Sequence, residues 1–187
     1  MLVQLLIVIR QGDRIALQTH IKENWLSCWR DRCDTSNCPG AIFDGPDGYK
    51  QCMGEAFQIF KPSPGEIRSG DLVGFYTPYK HGYWFSCAST PCLKGSCPGS
   101  PNTHYGFANK DLWYRCNGEE FKIYAYRKPV GSIITSGDDI MLYSIYHYAY
   151  VNGEGAVEGN NHCPGSSPPQ EHKFDTCAHE VFTIIKH

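Results

Sequence analysis

The chain of 187 residues has few charged side chains and no clear excess of either sign. Charged residues make up 19% of the sequence, and 17 Lys and Arg stand against 19 Asp and Glu, for a net charge of −2. The chain therefore lacks the excess of positive charge that would bind a phosphate backbone, which argues against nucleic-acid binding. The sequence also has no apolar run of about 18 residues, so we expect no membrane-spanning segment.

Signals of processing, glycosylation and catalysis are missing as well. No Asn-X-Ser/Thr site for N-linked sugar occurs. The apolar start, Met1–Arg10, lacks a basic lead-in and a small-residue cleavage site, so we interpret it as the first strand of a mature chain. No Gly-x-Ser-x-Gly motif occurs, and His179-Glu180 lacks the second histidine of a zinc-protease motif. We therefore predict no catalytic residues, no cofactor and no enzyme activity.

Glycine, proline, aromatic residues and cysteine are abundant by contrast. With 19 Gly, 12 Pro, 12 Tyr, 9 Phe and 4 Trp, the composition is typical of many short strands joined by turns, and it predicts an all-β fold. Ten cysteines are a heavy load for a reducing compartment, and their even number suits disulfides. We therefore expect a secreted or extracellular protein.

Three copies of one sequence pattern organise the chain. Each has an Ile-x-x-Gly-Asp turn followed by an alternating apolar strand, at Arg14–Thr19, Leu72–Thr77 and Asp139–Ser144. Cys-Pro-Gly follows the glycine of each turn by 26, 27 and 26 residues, and Cys-x-x-Glu-x-Phe opens the last strand of each copy. An aromatic strand lies between these marks, so each copy has four strands. The structural turn residues are Gly12, Asp13, Gly70, Asp71, Gly137 and Asp138.

Three four-stranded copies predict a β-trefoil with pseudo-threefold symmetry. A unit of about 60 residues is too small to bury its own apolar face, so the copies must share one core. We expect a single domain over residues 1–187, with repeats at about 1–61, 62–129 and 130–187.

The Gly-Asp turns and the apolar strands that follow them resemble the repeats of fascin-like and ricin-B-like trefoil families. The sequence also bears a faint resemblance to silica-associated axial-filament proteins of glass sponges. The ricin-B-like resemblance implies sugar binding. However, the Gln-x-Trp motif of that family does not occur here, so no ligand-binding residue is transferred to this sequence.

The cysteine spacing predicts disulfides inside each copy. Copies one and two share Cys-x4-Cys-x4-Cys-Pro-Gly, whereas copy three lacks the first two cysteines together. Two cysteines that are lost as a unit are most simply a bonded pair. The predicted bonds are Cys28–Cys33, Cys87–Cys92, Cys38–Cys52, Cys97–Cys116 and Cys163–Cys177. Metal binding is the alternative, but Cys-x2-Cys pairs are absent, so we predict no metal site.

Aromatic and acidic residues were weighed as candidate functional groups. The glutamates Glu55, Glu119 and Glu180 recur at one position of the repeat, which indicates a structural role. Tyrosines exceed what inward-facing strand positions can bury, so some should lie on the surface and contact sugars or proteins. The aromatic residues concerned are Tyr76, Tyr79, Tyr83, Trp84, Tyr143, Tyr146, Tyr148 and Tyr150.

Two functions from different classes are consistent with these features. The first is a secreted, non-enzymatic structural protein: a disulfide-stabilised building block of an extracellular filament, matrix or biomineral scaffold, partnered by itself or by a matrix component. Near-neutral charge, absent N-glycans and aromatic-rich loops favour it. The alternative is a carbohydrate-binding lectin. Protease inhibition by an exposed loop ranks last, because nothing marks a scissile position.

Overall fold

Eleven β-strands make up about half of the part of the chain that the structure describes. The structure is a computed structural model, and it describes residues 6–19, 25–28, 34–36, 56–77, 83–87, 92–95, 117–152 and 178–187. Short 3₁₀ helices, Asn117–Glu119 and Ala178–Glu180, precede the eighth and eleventh strands. The strands are β1 (Arg14–Thr19), β2 (Trp25–Ser27), β3 (Asp34–Ser36), β4 (Phe57–Phe60), β5 (Leu72–Thr77), β6 (Tyr83–Ser86), β7 (Leu93–Gly95), β8 (Phe121–Ala125), β9 (Asp139–Ser144), β10 (Ala149–Tyr150) and β11 (Val181–Lys186).

Six of these strands close into an antiparallel barrel. β1 pairs with β11, β11 with β9, β9 with β8, β8 with β5, β5 with β4, and β4 pairs back with β1. The other described strands form hairpins: β2 with β3, β6 with β7, and β10 on β9. The all-β prediction is therefore confirmed, and closure leaves the barrel without an open edge.

Alternate positions of the barrel strands fill its interior with apolar side chains. The bounds of β1, β5 and β9 agree with those predicted from the apolar alternation. Four fully buried phenylalanines meet in the core, with ring centroids 5.1 to 6.4 Å apart. They are Phe57, Phe75, Phe85 and Phe121. Because Phe85 belongs to β6, the β6–β7 hairpin packs on the barrel core.

Three Gly-Asp turns lie at one end of the barrel, which we call the turn end. β1, β5 and β9 alternate with antiparallel neighbours around the barrel, so they run in the same direction and begin at the same end. The carboxylates of Asp13, Asp71 and Asp138 each accept the backbone N–H three residues earlier, at 2.7, 2.9 and 2.8 Å. Each turn glycine donates its N–H to an isoleucine carbonyl of the neighbouring strand, 2.7 Å away.

The residues that precede the three turns close the turn end. Ile9 donates its N–H to the carbonyl of Ile134, Ile134 to Ile67, and Ile67 to Ile9, at 2.9 to 3.0 Å. All three side chains are fully buried. The prediction that Met1–Arg10 is a strand is wrong for residues 6–10, which make only isolated bridges, to Thr135 and to Glu66. Their backbone bonds are divided between two neighbours, so no continuous ladder forms.

A lysine at or just after the end of β4, β8 and β11 reaches the aspartate of a Gly-Asp turn. The three ion pairs are Lys61–Asp71 at 2.9 Å, Lys128–Asp138 at 2.6 Å and Lys186–Asp13 at 2.8 Å. Each aspartate is therefore held by a backbone N–H and by a lysine at once. Because the side chains are partly exposed, each pair adds about 1 kcal/mol or less, and its main effect is to orient the turn.

One predicted disulfide falls inside the described residues and is present. Cys87, directly after β6, bonds to Cys92, directly before β7, so the bond clasps the base of this hairpin. Cys28 is also disulfide-bonded, and no described cysteine is free. The other predicted bonds involve residues outside the described part of the chain: Cys33, Cys38, Cys52, Cys97, Cys116, Cys163 and Cys177.

Gly70→Ala should destabilise the barrel more than Gly12→Ala or Gly137→Ala. All three glycines have φ between +83° and +93°, where an added Cβ costs about 1–2 kcal/mol. At Gly70 the Cβ would in addition lie 2.8 Å from Val130 Cγ1, whereas nothing lies within 4 Å at the other two. Thermal unfolding of the three variants measures the difference. Equal losses of melting temperature would show that Val130 simply moves aside.

Candidate functional site at the β9–β10 turn

The outer face of β8, β9 and β11 carries a second, smaller apolar cluster. Its members point away from the barrel interior, because they alternate with core residues such as Ile123 and Leu142. Tyr143 and Tyr150 are cross-strand partners, and their ring centroids are 5.2 Å apart. We call this set the tyrosine cluster: Tyr124, Met141, Tyr143, Tyr150 and Val181. Each of these residues is buried.

The hydroxyl groups of the tyrosine cluster stay protonated at neutral pH. Burial raises the pKa of Tyr124, Tyr143 and Tyr150 above the ordinary value of 10.0. Mutual interactions add to this effect, including that of Tyr148 on Tyr143. The hydroxyl oxygen of Tyr143 is buried and has no hydrogen-bond partner. The protonated hydroxyl of Tyr143 is therefore a hydrogen-bond donor without an acceptor on the outer face of the barrel.

The turn 145–148 connects β9 to β10 beside the tyrosine cluster, at the barrel end opposite the Gly-Asp turns. The carbonyl of Ser144 accepts the N–H of Tyr148 at 3.0 Å, and its hydroxyl accepts the N–H of His147 at 3.3 Å. Tyr148 has φ of 55°, in the left-handed region, and the residue is 76% exposed. Tyr146 is 50% exposed and meets the His147 ring edge-on at 5.0 Å. The Nε2 atom of His147 is buried and has no partner.

Two adjacent carboxyl groups are buried where a 3₁₀ helix meets β8. Burial raises the pKa of Glu119, against hydrogen bonds that lower it, one of them from Ser86. Burial and the neighbouring Glu119 raise the pKa of Glu120 to about 7. The Oε1 atom of Glu120 has no partner, and the N–H of Ile145 donates to the Glu120 carbonyl at 3.2 Å. The start of β8 therefore lies against the start of the 145–148 turn.

The aromatic residues that the sequence analysis named as candidates fall into an exposed group and a buried group in the structure. Tyr146 and Tyr148 are exposed, as expected for contact residues. Tyr79 and the side chain of Tyr83 lie outside the described residues. The remaining members pack against the barrel and are buried: Tyr76, Trp84, Tyr143 and Tyr150.

Sequence reasoning passed over three residues of this region. Glu120 had a signal in the repeat. The residue after the recurrent glutamate is apolar in copy one (Ala56) and in copy three (Val181), so a second glutamate in copy two is the exception. His147 and Tyr124 carried no such signal. Of the recurrent glutamates themselves, Glu119 and Glu180 are buried on the 3₁₀ helices, and Glu55 lies outside the described residues.

The described ranges hold no cluster of metal ligands and no long apolar helix. Within them, no three His, Cys, Asp or Glu side chains come together as a metal ion would require. Nor does any helix in these ranges have the length and apolar character needed to span a membrane.

Comparison with known proteins finds similarity at the level of the fold. No protein-family model matches the chain, and no curated protein matches it. An SDF2-like protein from Arabidopsis thaliana matches with a TM-score of 0.56 and 14% identity, over 95% of this chain and 94% of that one. A Caenorhabditis elegans protein of unknown function matches with a TM-score of 0.51 and 10% identity, over 95% of both chains.

A third solved structure is a mutant GH54 α-L-arabinofuranosidase soaked with 4-nitrophenyl α-L-arabinofuranoside. It matches with a TM-score of 0.53 and 13% identity, over 96% of this chain but only 32% of that one. At these identities, all three likenesses show the fold alone.

These comparisons overturn two expectations. The resemblance to fascin-like and ricin-B-like proteins, and to axial-filament proteins of glass sponges, is wrong: the fold matches an SDF2-like protein over nearly its whole length. The Gly-Asp turns that suggested those families serve to close the barrel, so they do not mark one family. The expectation that the chain is not an enzyme is also wrong as stated, because a glycoside hydrolase contains a region of this fold.

The buried Glu120 predicts a loss of stability as the pH rises through about 7. Its folded-state pKa is above the ordinary 4.5, so the stabilising contribution is complete below about pH 4.5 and is lost as the carboxyl ionises. Glu120→Val, which introduces the residue of copy three, should remove this loss. Melting temperatures between about pH 4 and about pH 8 test the prediction.

A second variant separates the two causes of this pH dependence. Glu119→Gln should weaken the dependence only in part, because burial is the larger cause of the raised pKa of Glu120. If the wild-type protein and Glu120→Val lose stability in parallel over the same pH range, Glu120 is not the group responsible.

Proposed function

We propose that the protein is a secreted, disulfide-stabilised building block that assembles with further copies of itself in an extracellular filament, matrix or mineral scaffold. One observation carries the proposal: three large aliphatic side chains are exposed at the turn end. Leu6 is 72%, Ile7 54% and Val130 62% exposed. Aliphatic groups exposed on a closed barrel favour contact with another apolar surface.

These aliphatic residues lie beside two of the three Gly-Asp turns. The carbonyl of Ile7 accepts the N–H of Ser136 at 2.8 Å, which holds Leu6 and Ile7 against the third turn. Val130 lies against the second turn, at Gly70. We call this set the aliphatic patch: Leu6, Ile7 and Val130. A net charge of −2 leaves little repulsion between copies that meet through it.

The proposal also covers how the three repeats of the chain are arranged within the fold. We propose that residues 1–187 form one β-trefoil domain, in which three repeats share a pseudo-threefold axis. The matching turn bonds, the ring of Ile9, Ile67 and Ile134, and the three Lys–Asp pairs support it. In such an arrangement the position of Ile7 corresponds to Gly65 at the first turn, so the aliphatic patch is one-sided and self-contact is directional.

Self-association through the aliphatic patch is tested by sedimentation. We expect the wild-type chain to form concentration-dependent oligomers, seen by analytical ultracentrifugation and electron microscopy. Ile7→Lys and Val130→Lys should each raise the dissociation constant by about tenfold or more, because each places a charge in an apolar contact. Tyr146→Ser, at the opposite end, is the matched control and should leave association unchanged. A chain that stays monomeric at all concentrations contradicts the proposal.

Carbohydrate binding is the second candidate function, and the exposed Tyr146 and Tyr148 favour it. Tyrosine rings offer an apolar face together with a polar hydroxyl, which suits a sugar. The arabinofuranosidase that shares this fold was soaked with 4-nitrophenyl α-L-arabinofuranoside, so that glycoside is the first probe. We expect millimolar binding by titration calorimetry. No heat of binding at millimolar glycoside would count against arabinofuranosides as the sugar.

A further inference from the structure

Tyr148 combines an unfavourable backbone with an exposed ring. Its φ of 55° lies in the left-handed region, which disfavours residues with a Cβ and which glycine adopts freely. Because 76% of the residue is exposed, burial of the ring compensates little for the unfavourable backbone conformation. Arg127, with φ of 57°, is the comparable residue at the turn end, and its guanidinium lies 4.8 Å above the ring of Tyr126. Residues held in disfavoured backbone conformations cluster at functional sites.

Unused polar atoms accumulate around the same turn. They are the Oε1 atom of Glu120, the hydroxyl of Tyr143 and the Nε2 atom of His147, all buried and without hydrogen-bond partners. Glu120 lies across from Ile145, the first residue of the turn, and Tyr143 is its diagonal neighbour on the same face. Buried polar atoms without partners are costly, so each needs a reason. A ligand that supplies hydrogen bonds at the turn provides one.

We infer that the β9–β10 turn binds a neutral saccharide, with Tyr148 and Tyr146 as the stacking surface and His147 as the hydrogen-bonding group between them. The inference deepens carbohydrate binding as the second candidate function and rests on it. A sugar ring presents C–H groups on one face, which pack on an aromatic ring, and hydroxyls at its rim. The Nε2 atom of His147 is buried, so a sugar hydroxyl reaches it once the His147 ring turns outward and then gives it a partner.

Charge and size argue for a sugar over other occupants. The turn 145–148 contains no Lys or Arg, which disfavours a phosphate or another anion. Two exposed rings on a four-residue turn are also far smaller than the roughly 800 Å² per partner of a stable protein interface. A small, uncharged and hydroxyl-rich ligand fits both observations.

Ligand-observed NMR on the full-length, oxidised protein tests the site. The probes are the methyl glycosides of glucose, galactose, mannose, N-acetylglucosamine and arabinofuranose at millimolar concentration. We expect at least one to bind, and Tyr148→Gly to weaken it about tenfold or more through loss of the stacking ring. The same variant should melt at an equal or higher temperature, because glycine adopts the left-handed backbone without strain. This result separates lost binding from lost folding.

Arg127→Gly is the matched control. It relieves the same kind of strain at the opposite end of the barrel and should leave saccharide binding unchanged. Tyr146→Ala and His147→Ala should each weaken binding severalfold. Binding of none of the five glycosides overturns the inference, and so does wild-type affinity in Tyr148→Gly.

The outcomes also distinguish this inference from the proposals on which it builds. A glycoside that binds equally to the wild-type protein and to Tyr148→Gly leaves carbohydrate binding intact but moves it elsewhere. Because the aliphatic patch lies at the other end of the barrel, Tyr148→Gly should sediment like the wild-type protein. A chain that assembles but binds no glycoside would retain the structural function and lose this site.

Discussion

A ring of three backbone hydrogen bonds is the constraint on which the rest of the structure depends. Ile9, Ile67 and Ile134 come from distant parts of the chain, and each uses one N–H and one carbonyl to hold the other two. Their side chains are fully buried beneath the Gly-Asp turns. Six strands can close into a barrel here because every turn repeats the same bonds, and an opening at one turn would expose the polar backbone of the other two.

The two ends of the barrel differ in how their polar groups are hydrogen-bonded. At the turn end, each aspartate receives both a backbone N–H and a lysine, and the buried Oε1 atom of Gln11 is left without a partner. Around the 145–148 turn, buried polar atoms lack partners and Tyr148 is strained. Stability is concentrated at the turn end, where the repeats agree, and the candidate saccharide contacts Tyr146 and Tyr148 lie at the opposite end.

Much of the barrel could be predicted from the sequence, because a largely apolar strand follows each recurrent Gly-Asp turn. The bounds of β1, β5 and β9 and the Cys87–Cys92 bond followed from that local pattern. The residues before the turns were misjudged as a strand, because an apolar run does not reveal that its partners alternate between two neighbours. The family resemblance failed because it rested on a turn motif whose residues serve barrel closure, and the fold matches an SDF2-like protein instead.

The sequence by itself determined the strands, the turns and the Cys87–Cys92 disulfide, since each depends on residues close together in the chain. Only the tertiary structure decided which tyrosines are buried, that Glu120 is enclosed beside Glu119, and that Tyr148 stands exposed on a strained turn. The physical reason is that burial and charge interactions depend on neighbours from other strands. Those neighbours are assigned by barrel closure, not by sequence distance.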